Sequence, residues 1–146
     1  MIYIFDIDGT ICDISHRLHF IQQKPADWHS FFAACGYDEP IDDVVSLLRF
    51  LHTGGHFIAL ITGRSDECRK QTLEWLERYV VNFDALYMRR EGDHRQDSVV
   101  KSELLDRLIA DHPAGFIAGV FEDRKQVVDM YRARGLRVYQ VADGDF

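Results

Sequence analysis

Four short stretches of this sequence carry residues whose types and spacing could do chemistry on a phosphate. In the first, Asp6-Ile7-Asp8-Gly9-Thr10, an apolar tetrapeptide runs into two carboxylates and then a turn. Side chains alternate along a strand, so Asp6 and Asp8 fall on one side, and two like charges that close hold either a cation or a proton. Gly9 lets the backbone come near a ligand, and Thr10 adds a hydroxyl at the loop's exit. The second stretch is Thr62-Gly63-Arg64, at the end of another apolar run, with Ser65-Asp66 as a helix start behind it. A helix N-terminus beside a strand end binds anions readily. Lys101 is the third, a cation in the first turn of an expected helix, where the macrodipole gives it no help and a nearby anion would resolve the misfit. Glu122-Asp123 is the fourth, two further acids at the end of an apolar run.

Carboxylates gathered around a phosphate suit Mg²⁺, a hard ion that takes oxygen ligands and lets substrate phosphate complete its octahedron. Asp6 and Asp123 are the expected side-chain ligands. In that setting a carboxylate can attack phosphorus in line and form an acyl phosphate, dividing one hard hydrolysis into two displacements. Asp6 is the expected nucleophile. Asp8 is placed to protonate the leaving alcohol and then take a proton from water, while Thr62 and Lys101 hold the phosphoryl oxygens. Arg17, a few residues past the first loop, could swing its guanidinium over a bound phosphate, against the simpler reading of a surface salt bridge. The segment from Arg89 to Arg95 places Arg89, Arg90 and Arg95 together, either as a solvated loop or as a substrate-facing one. His16 and His19 have a spacing that can bind metal but usually does not.

Periodicity supplies the elements that must position these residues. Residues 2 to 5 read as a buried strand, 57 to 61 as a second, 85 to 88 as a third, 115 to 121 as a fourth and 136 to 141 as a fifth, before the close at Asp145 and Phe146. Helical spacing falls between them, over 41 to 53 up to Gly54-Gly55, from Ser65-Asp66 to about Trp75 or Tyr79, from a cap at Asp97-Ser98, and around 127 to 131. Residues 14 to 23 and 28 to 34 form a small helical insert, spanning about 14–40. Alternating strands and helices imply right-handed βαβ units, hence an α/β three-layer Rossmann-like parallel sheet with a small helical cap insert in a single domain, 1–146. Ligands bind along the edge where the strands' C-terminal ends line up. Asp6, Asp8, Thr62, Arg64, Glu122 and Asp123 all lie at such ends.

Composition narrows the partners. The 146 residues carry a net charge of -7, which argues against a broad electrostatic grip on polynucleotides but leaves room for local positive charge. No apolar run approaches membrane-spanning length, so no membrane association is expected. The sequence opens on a strand and offers no export signal, and its three cysteines, Cys12, Cys35 and Cys68, are odd in number and widely spaced. Reduced thiols and a cytoplasmic location are expected.

The four motifs together resemble those of the haloacid dehalogenase (HAD) superfamily of phosphatases over nearly the whole length. The stretches RREGDHRQDSVVK and EDRKQVVDMYRARGLRVYQVADGDF resemble the 3′-phosphatase domain of bacteriophage polynucleotide kinase. That resemblance implies removal of a 3′-phosphate from nucleic-acid ends with Mg²⁺, held by Asp6, Asp123, the backbone carbonyl of Asp8 and, one layer out, Glu122. It adds Arg17 and Arg64 on the substrate phosphate, with Gly63, Arg89 and Arg95 beside them. It also adds Asp97 in support of the lysine and the metal. Glu122 departs from the family's second aspartate. No G-x-x-x-x-G-K-[ST] occurs, so a phosphatase without a kinase half is expected. A phosphatase of small nucleotides and a non-catalytic phosphate-binding protein are the competing readings; the pair Asp6 and Asp8 speaks against the second.

Overall fold

The computed structural model describes residues 1–144; Asp145 and Phe146 lie outside the described residues. Strand β1 is Ile2–Phe5. Strands β2 (Cys12–Asp13) and β3 (Glu39–Pro40) pair antiparallel and form the stem of the insert. The insert holds a 3-10 turn at Ser15–Arg17, helix α1 (His19–Gln22), helix α2 (Trp28–Ala33) and a second 3-10 turn at Ala34–Tyr37. The chain continues through α3 (Asp42–Thr53), β4 (Phe57–Ser65), α4 (Arg69–Arg78), β5 (Ala85–Arg89), α5 (Asp97–Asp111), β6 (Ile117–Glu122), α6 (Lys125–Ala133) and β7 (Val138–Gln140).

The five long-range strands pair in parallel in the order β5-β4-β1-β6-β7, the expected α/β arrangement. Strand β1 is central and both its faces are covered, which is why its sequence is apolar without alternation. Ile2 and Ile4 enter one core with Ala59, Ile61 and the inner faces of α5 and α6. Phe5 enters the other with Ile58, Leu60, Leu48 of α3, Trp75 and Leu76 of α4 and the phenylalanines of the insert. Register then places the chemistry. Phe5 pairs with Leu60 on one side and Phe121 on the other, so Asp6, Thr62 and Glu122-Asp123 all emerge within two residues of that line.

Two expectations need correction. Strand β4 does not stop at Ile61; it runs to Ser65, with a bulge between the pairs Thr62–Met88 and Ser65–Arg89. The apolar run marks where burial between two cores ends, but the hydrogen-bond ladder goes on past it. The insert's first helix is also shorter than 14 to 23, being a 3-10 turn followed by one turn of α1. Its stem of two-residue strands has no periodicity to read. Among the described residues no helix is long and apolar enough to cross a membrane, and the three cysteines are free and buried.

The core facing α5 can be tested far from the chemistry. Leu108 is fully buried there, so Leu108→Ala should lower unfolding free energy by about 2–5 kcal/mol. Chemical denaturation checks it. A loss below about 1 kcal/mol would mean that this face is not a packed core.

Candidate active site

Asp6 stands just beyond β1, its backbone N–H donating to the Phe121 carbonyl at 3.0 Å, so the sheet itself fixes where its carboxylate projects. From α5, Lys101 Nζ reaches Asp6 Oδ1 and Glu122 Oε2, both at 2.8 Å, with Asp97 Oδ2 at 3.5 Å. The three acids supply the anion that a lysine in a helix's first turn lacked. Glu122 Oε1 in turn accepts the backbone N–H groups of Asp123 and Arg124, each at 3.2 Å. Thr10 Oγ1 lies 3.3 Å from both Asp6 Oδ2 and Asp123 Oδ1, bridging the first and last motifs.

The carboxylate oxygens of Asp6, Glu122 and Asp123 gather within 4.8 Å of one another. Burial, then the charge of Glu122, pushes Asp6 up to about 8 despite the attraction of Lys101. Burial likewise lifts Glu122 to about 7, and burial followed by the charge of Asp6 lifts Asp123 to about 7. Burial works against the charge on Lys101, yet Asp6, Asp97 and Glu122 outweigh it and hold the ammonium charged. An all-oxygen, buried, mutually repelling set of this kind fits a hard divalent cation.

Asp8 has the opposite surroundings. Its Oδ1 accepts from Arg17 Nη2 at 2.8 Å and from Arg64 Nη2 at 2.5 Å and Nε at 3.1 Å. Burial alone would raise this carboxyl, but the charges of Arg17 and Arg64 carry it well below the usual carboxylate range. These bonds all fall on Oδ1 and leave Oδ2 for a reacting partner. Arg17 therefore does not swing over the pocket. It is fully buried beneath Asp8, and its other bonds go to the Phe31 carbonyl at 3.2 Å and to Asp38 at 2.7 and 2.8 Å.

Asp38 is the residue that sequence reasoning missed. Buried at the insert's exit, it accepts from Arg17, from Arg64 at 3.2 Å and from His16 Nε2 at 2.6 Å, while its backbone carbonyl takes Trp75 Nε1 at 2.7 Å. One carboxylate thereby aligns two guanidiniums. His16 belongs to this network, and among the described residues neither it nor His19 joins a metal-ligand cluster.

The bulge of β4 brings Gly63 against Asp97, where an added β-carbon would overlap Asp97 Oδ1. Asp97 does not cap α5 as expected. Gln96 takes the cap position without a side-chain bond, because the Asp97 carboxylate turns instead to Lys101, to Arg89 at 3.2 Å and to Arg124 at 3.5 Å. Arg89 is also tied to the carbonyls of Gly63 at 2.7 Å, Asp93 at 3.0 Å and Arg95 at 2.8 Å, so it braces the loop 90–96. Arg95 pairs with Asp93 and Glu103 at the surface, and Arg90 is exposed. Thr62 Oγ1 accepts the Arg64 N–H at 3.0 Å.

Together these side chains enclose a cavity of about 400 Å³. Its lining includes the charged groups Asp6, Asp8, Lys101, Glu122 and Arg64, the rings of Trp28, Phe31 and Phe32, and Arg89, Arg95, Asp97 and Arg124. Arg17, Thr62 and Asp123 stand behind this lining. The volume is that of a small-molecule site.

The family model described as polynucleotide kinase PNKP phosphatase domain matches residues 1–146. A protein of Autographa californica nuclear polyhedrosis virus, named as a bifunctional polynucleotide kinase/RNA ligase, is 27% identical over 129 residues, covering 87% of this chain and 17% of the viral protein. A chain of the Pnkp1/Rnl/Hen1 RNA repair complex superposes with a TM-score of 0.81 at 29% identity, covering 99% of this chain and 43% of that one. The chain thus spans less than half the length of both relatives. A haloacid dehalogenase-like hydrolase of Streptococcus pneumoniae shares the fold, with a TM-score of 0.70 at 14% identity over 94% of this chain and 82% of the other.

Gly63→Ala tests the packing of the bulge on Asp97. The added methyl should drive the Asp97 carboxylate off Lys101 and slow phosphate release from a simple phosphomonoester on the order of 100-fold, as small misplacements of catalytic groups do. The melting temperature should also fall, because Lys101 loses one of its buried partners, while the variant still unfolds cooperatively. Wild-type turnover would sink this account of Gly63.

Proposed function

Because this chain belongs to the family of polynucleotide kinase (PNKP) phosphatase domains, which are HAD-type phosphatases, we propose that it removes 3′-phosphates from nucleic-acid ends through an aspartyl-phosphate. The observation that carries this reading is Asp6 at the end of a 400 Å³ cavity, its carboxylate held by Lys101 and its neighbour Asp8 held by two arginines. In the proposed reaction an Asp6 oxygen attacks phosphorus in line, the bond from phosphorus to the leaving alcohol breaks, and Asp8 gives that alcohol its proton. Water then attacks the acyl phosphate. Asp8 takes the water's proton and Asp6 is released unchanged. Lys101 and Arg64 offset charge on the phosphoryl oxygens, and the hydroxyl of Thr62 holds the strand end behind them.

Asp6, Asp123 and the main-chain carbonyl of Asp8, with Glu122 behind, would hold Mg²⁺, which neutralises charge between the acids and the substrate phosphate. Arg17 serves the substrate through Asp8, while Arg95 and Arg90, toward solvent, guide a polymer end. The wording of the relatives' names, a polynucleotide kinase/RNA ligase and an RNA repair complex, supports a nucleic-acid end over a free metabolite.

Asp6→Asn should abolish phosphate release from 3′-phosphorylated oligonucleotides while the variant still unfolds cooperatively, since the shape stays and the nucleophile goes. Wild-type release by that variant would end the covalent mechanism. Run on 5′-phosphorylated oligonucleotides and nucleoside monophosphates as well, the same assay places the substrate. Higher kcat/KM on monophosphates would move the assignment to small nucleotides.

The metal can be read without turnover. With folded pKa values raised to about 8, 7 and 7 from the ordinary value near 4, Asp6, Glu122 and Asp123 favour the fold most when protonated. The contribution of these three acids to the metal-free fold is therefore full below about pH 4 and falls as pH rises through about 7 to 8. Mg²⁺ binds the ionised acids, so its stabilising shift in melting temperature should be larger at pH 8 than at pH 6. No shift at either pH would remove the metal from the site.

A further inference from the structure

We propose that Trp28 is the stacking platform for the base of the terminal nucleotide, so that this cavity takes an unpaired 3′ end. The inference rests on the nucleic-acid-end reading above and names how such an end is gripped. Trp28 lines the same cavity as Asp6 and Asp8. Asp6 is only 3% exposed, so a phosphate that reaches it must carry its sugar and base into the cavity behind it. Beside its charged residues, the lining carries the rings of Trp28, Phe31 and Phe32. Of these three rings, Phe31 and Phe32 are 2% and 8% exposed, whereas Trp28, which lines the same cavity, is 45% exposed.

The two phenylalanines are its backing. The Trp28 ring lies 5.9 Å from Phe32 at an interplanar angle of 28°, and 5.7 Å from Phe31 edge to face at 88°. Phe31 is fastened in turn to the catalytic end, its ring 4.2 Å under the Arg17 guanidinium and its carbonyl accepting from Arg17 Nη1. Asp27 accepts the Ser30 N–H at 3.0 Å and starts the short helix on which Trp28 sits. The exposed indole is thus a fixed surface held through Arg17 to Asp8. A nucleobase has the flat π-face that such a surface accepts, and aromatic stacking tolerates any base. A base drawn from a duplex onto Trp28 has to leave its pairing partner and its stack, so the terminal nucleotide enters unpaired.

The test compares two oligonucleotides identical but for the last residue, one ending in a normal nucleotide 3′-phosphate and the other in an abasic sugar 3′-phosphate. Trp28→Ala should raise KM for the base-bearing end about tenfold and leave KM for the abasic end unchanged, and Trp28→Phe should recover most of the loss. Wild type should favour the base-bearing end by a similar factor. A ratio of the two substrates is insensitive to how much variant is folded. Equal effects on both ends, or none on either, would overturn the role of Trp28 while leaving the phosphatase assignment in place. Failure of wild type to release phosphate from either oligonucleotide, with monophosphates still hydrolysed, would overturn the nucleic-acid reading and this inference with it.

Discussion

The ammonium of Lys101 is the interaction on which the rest of the structure depends. Burying one ion costs several kcal/mol after relaxation, and here a lysine is buried among Asp6, Asp97 and Glu122. Each of those acids comes from a different part of the chain, so the charge is satisfied only when β1, α5 and β6 are all in place. Breaking such a cluster by removing one member leaves an uncompensated charge, which costs more than the cluster contributes when whole. The sheet's parallel order serves this condition: β1 at the centre has a strand end on either side from which partners can be drawn.

A second cluster, Arg17 and Arg64 on Asp8 and Asp38, lies beside the first and matches each acid with a cation. Two carboxylates two residues apart therefore differ in charge state. Asp6 faces other acids and is pushed up, while Asp8 faces two guanidiniums and is held down. Environments that drive neighbouring acids apart assign them different roles, and here the separation comes from fixed partners on the insert and on β4. The insert is thus part of the electrostatics as well as a cover.

Much of this was legible because parallel strands buried on both faces are apolar runs, and each run here ends in a chemical residue. Asp6, Asp8, Thr62, Glu122 and Asp123 could be found from that punctuation, and Lys101 from its place in a helix's first turn. Asp38 could not, since it follows no apolar run and a lone acid before Glu39-Pro40 reads as surface. The bulge after Thr62 was hidden for a related reason, because hydrogen bonding carries β4 on after hydrophobicity stops. Asp97 was misread as a cap because a helix's first turn offers an acid two uses. The pull of Lys101, Arg89 and Arg124, which only the folded chain assembles, decided between them. Arg17 was found but placed on the wrong side of Asp8, its position being set by Asp38.

The arginine cluster also bears on how the proposed reaction could start. The first displacement needs a proton on Asp8, yet two guanidiniums on its Oδ1 hold it ionised. Arg64 lines the cavity and Arg17 does not, so an arriving phosphate competes with Asp8 for Arg64 alone. Each bond that Arg64 gives to the phosphate is one it withdraws from Asp8, and the carboxyl's affinity for a proton rises accordingly. Asp38 keeps Arg64 from leaving altogether, at 3.2 Å from its Nη2. Substrate binding would then set the acid for the first step, and loss of the alcohol would return Asp8 toward the ionised form that the attacking water requires. One side chain would serve both steps because its partner is shared with the substrate.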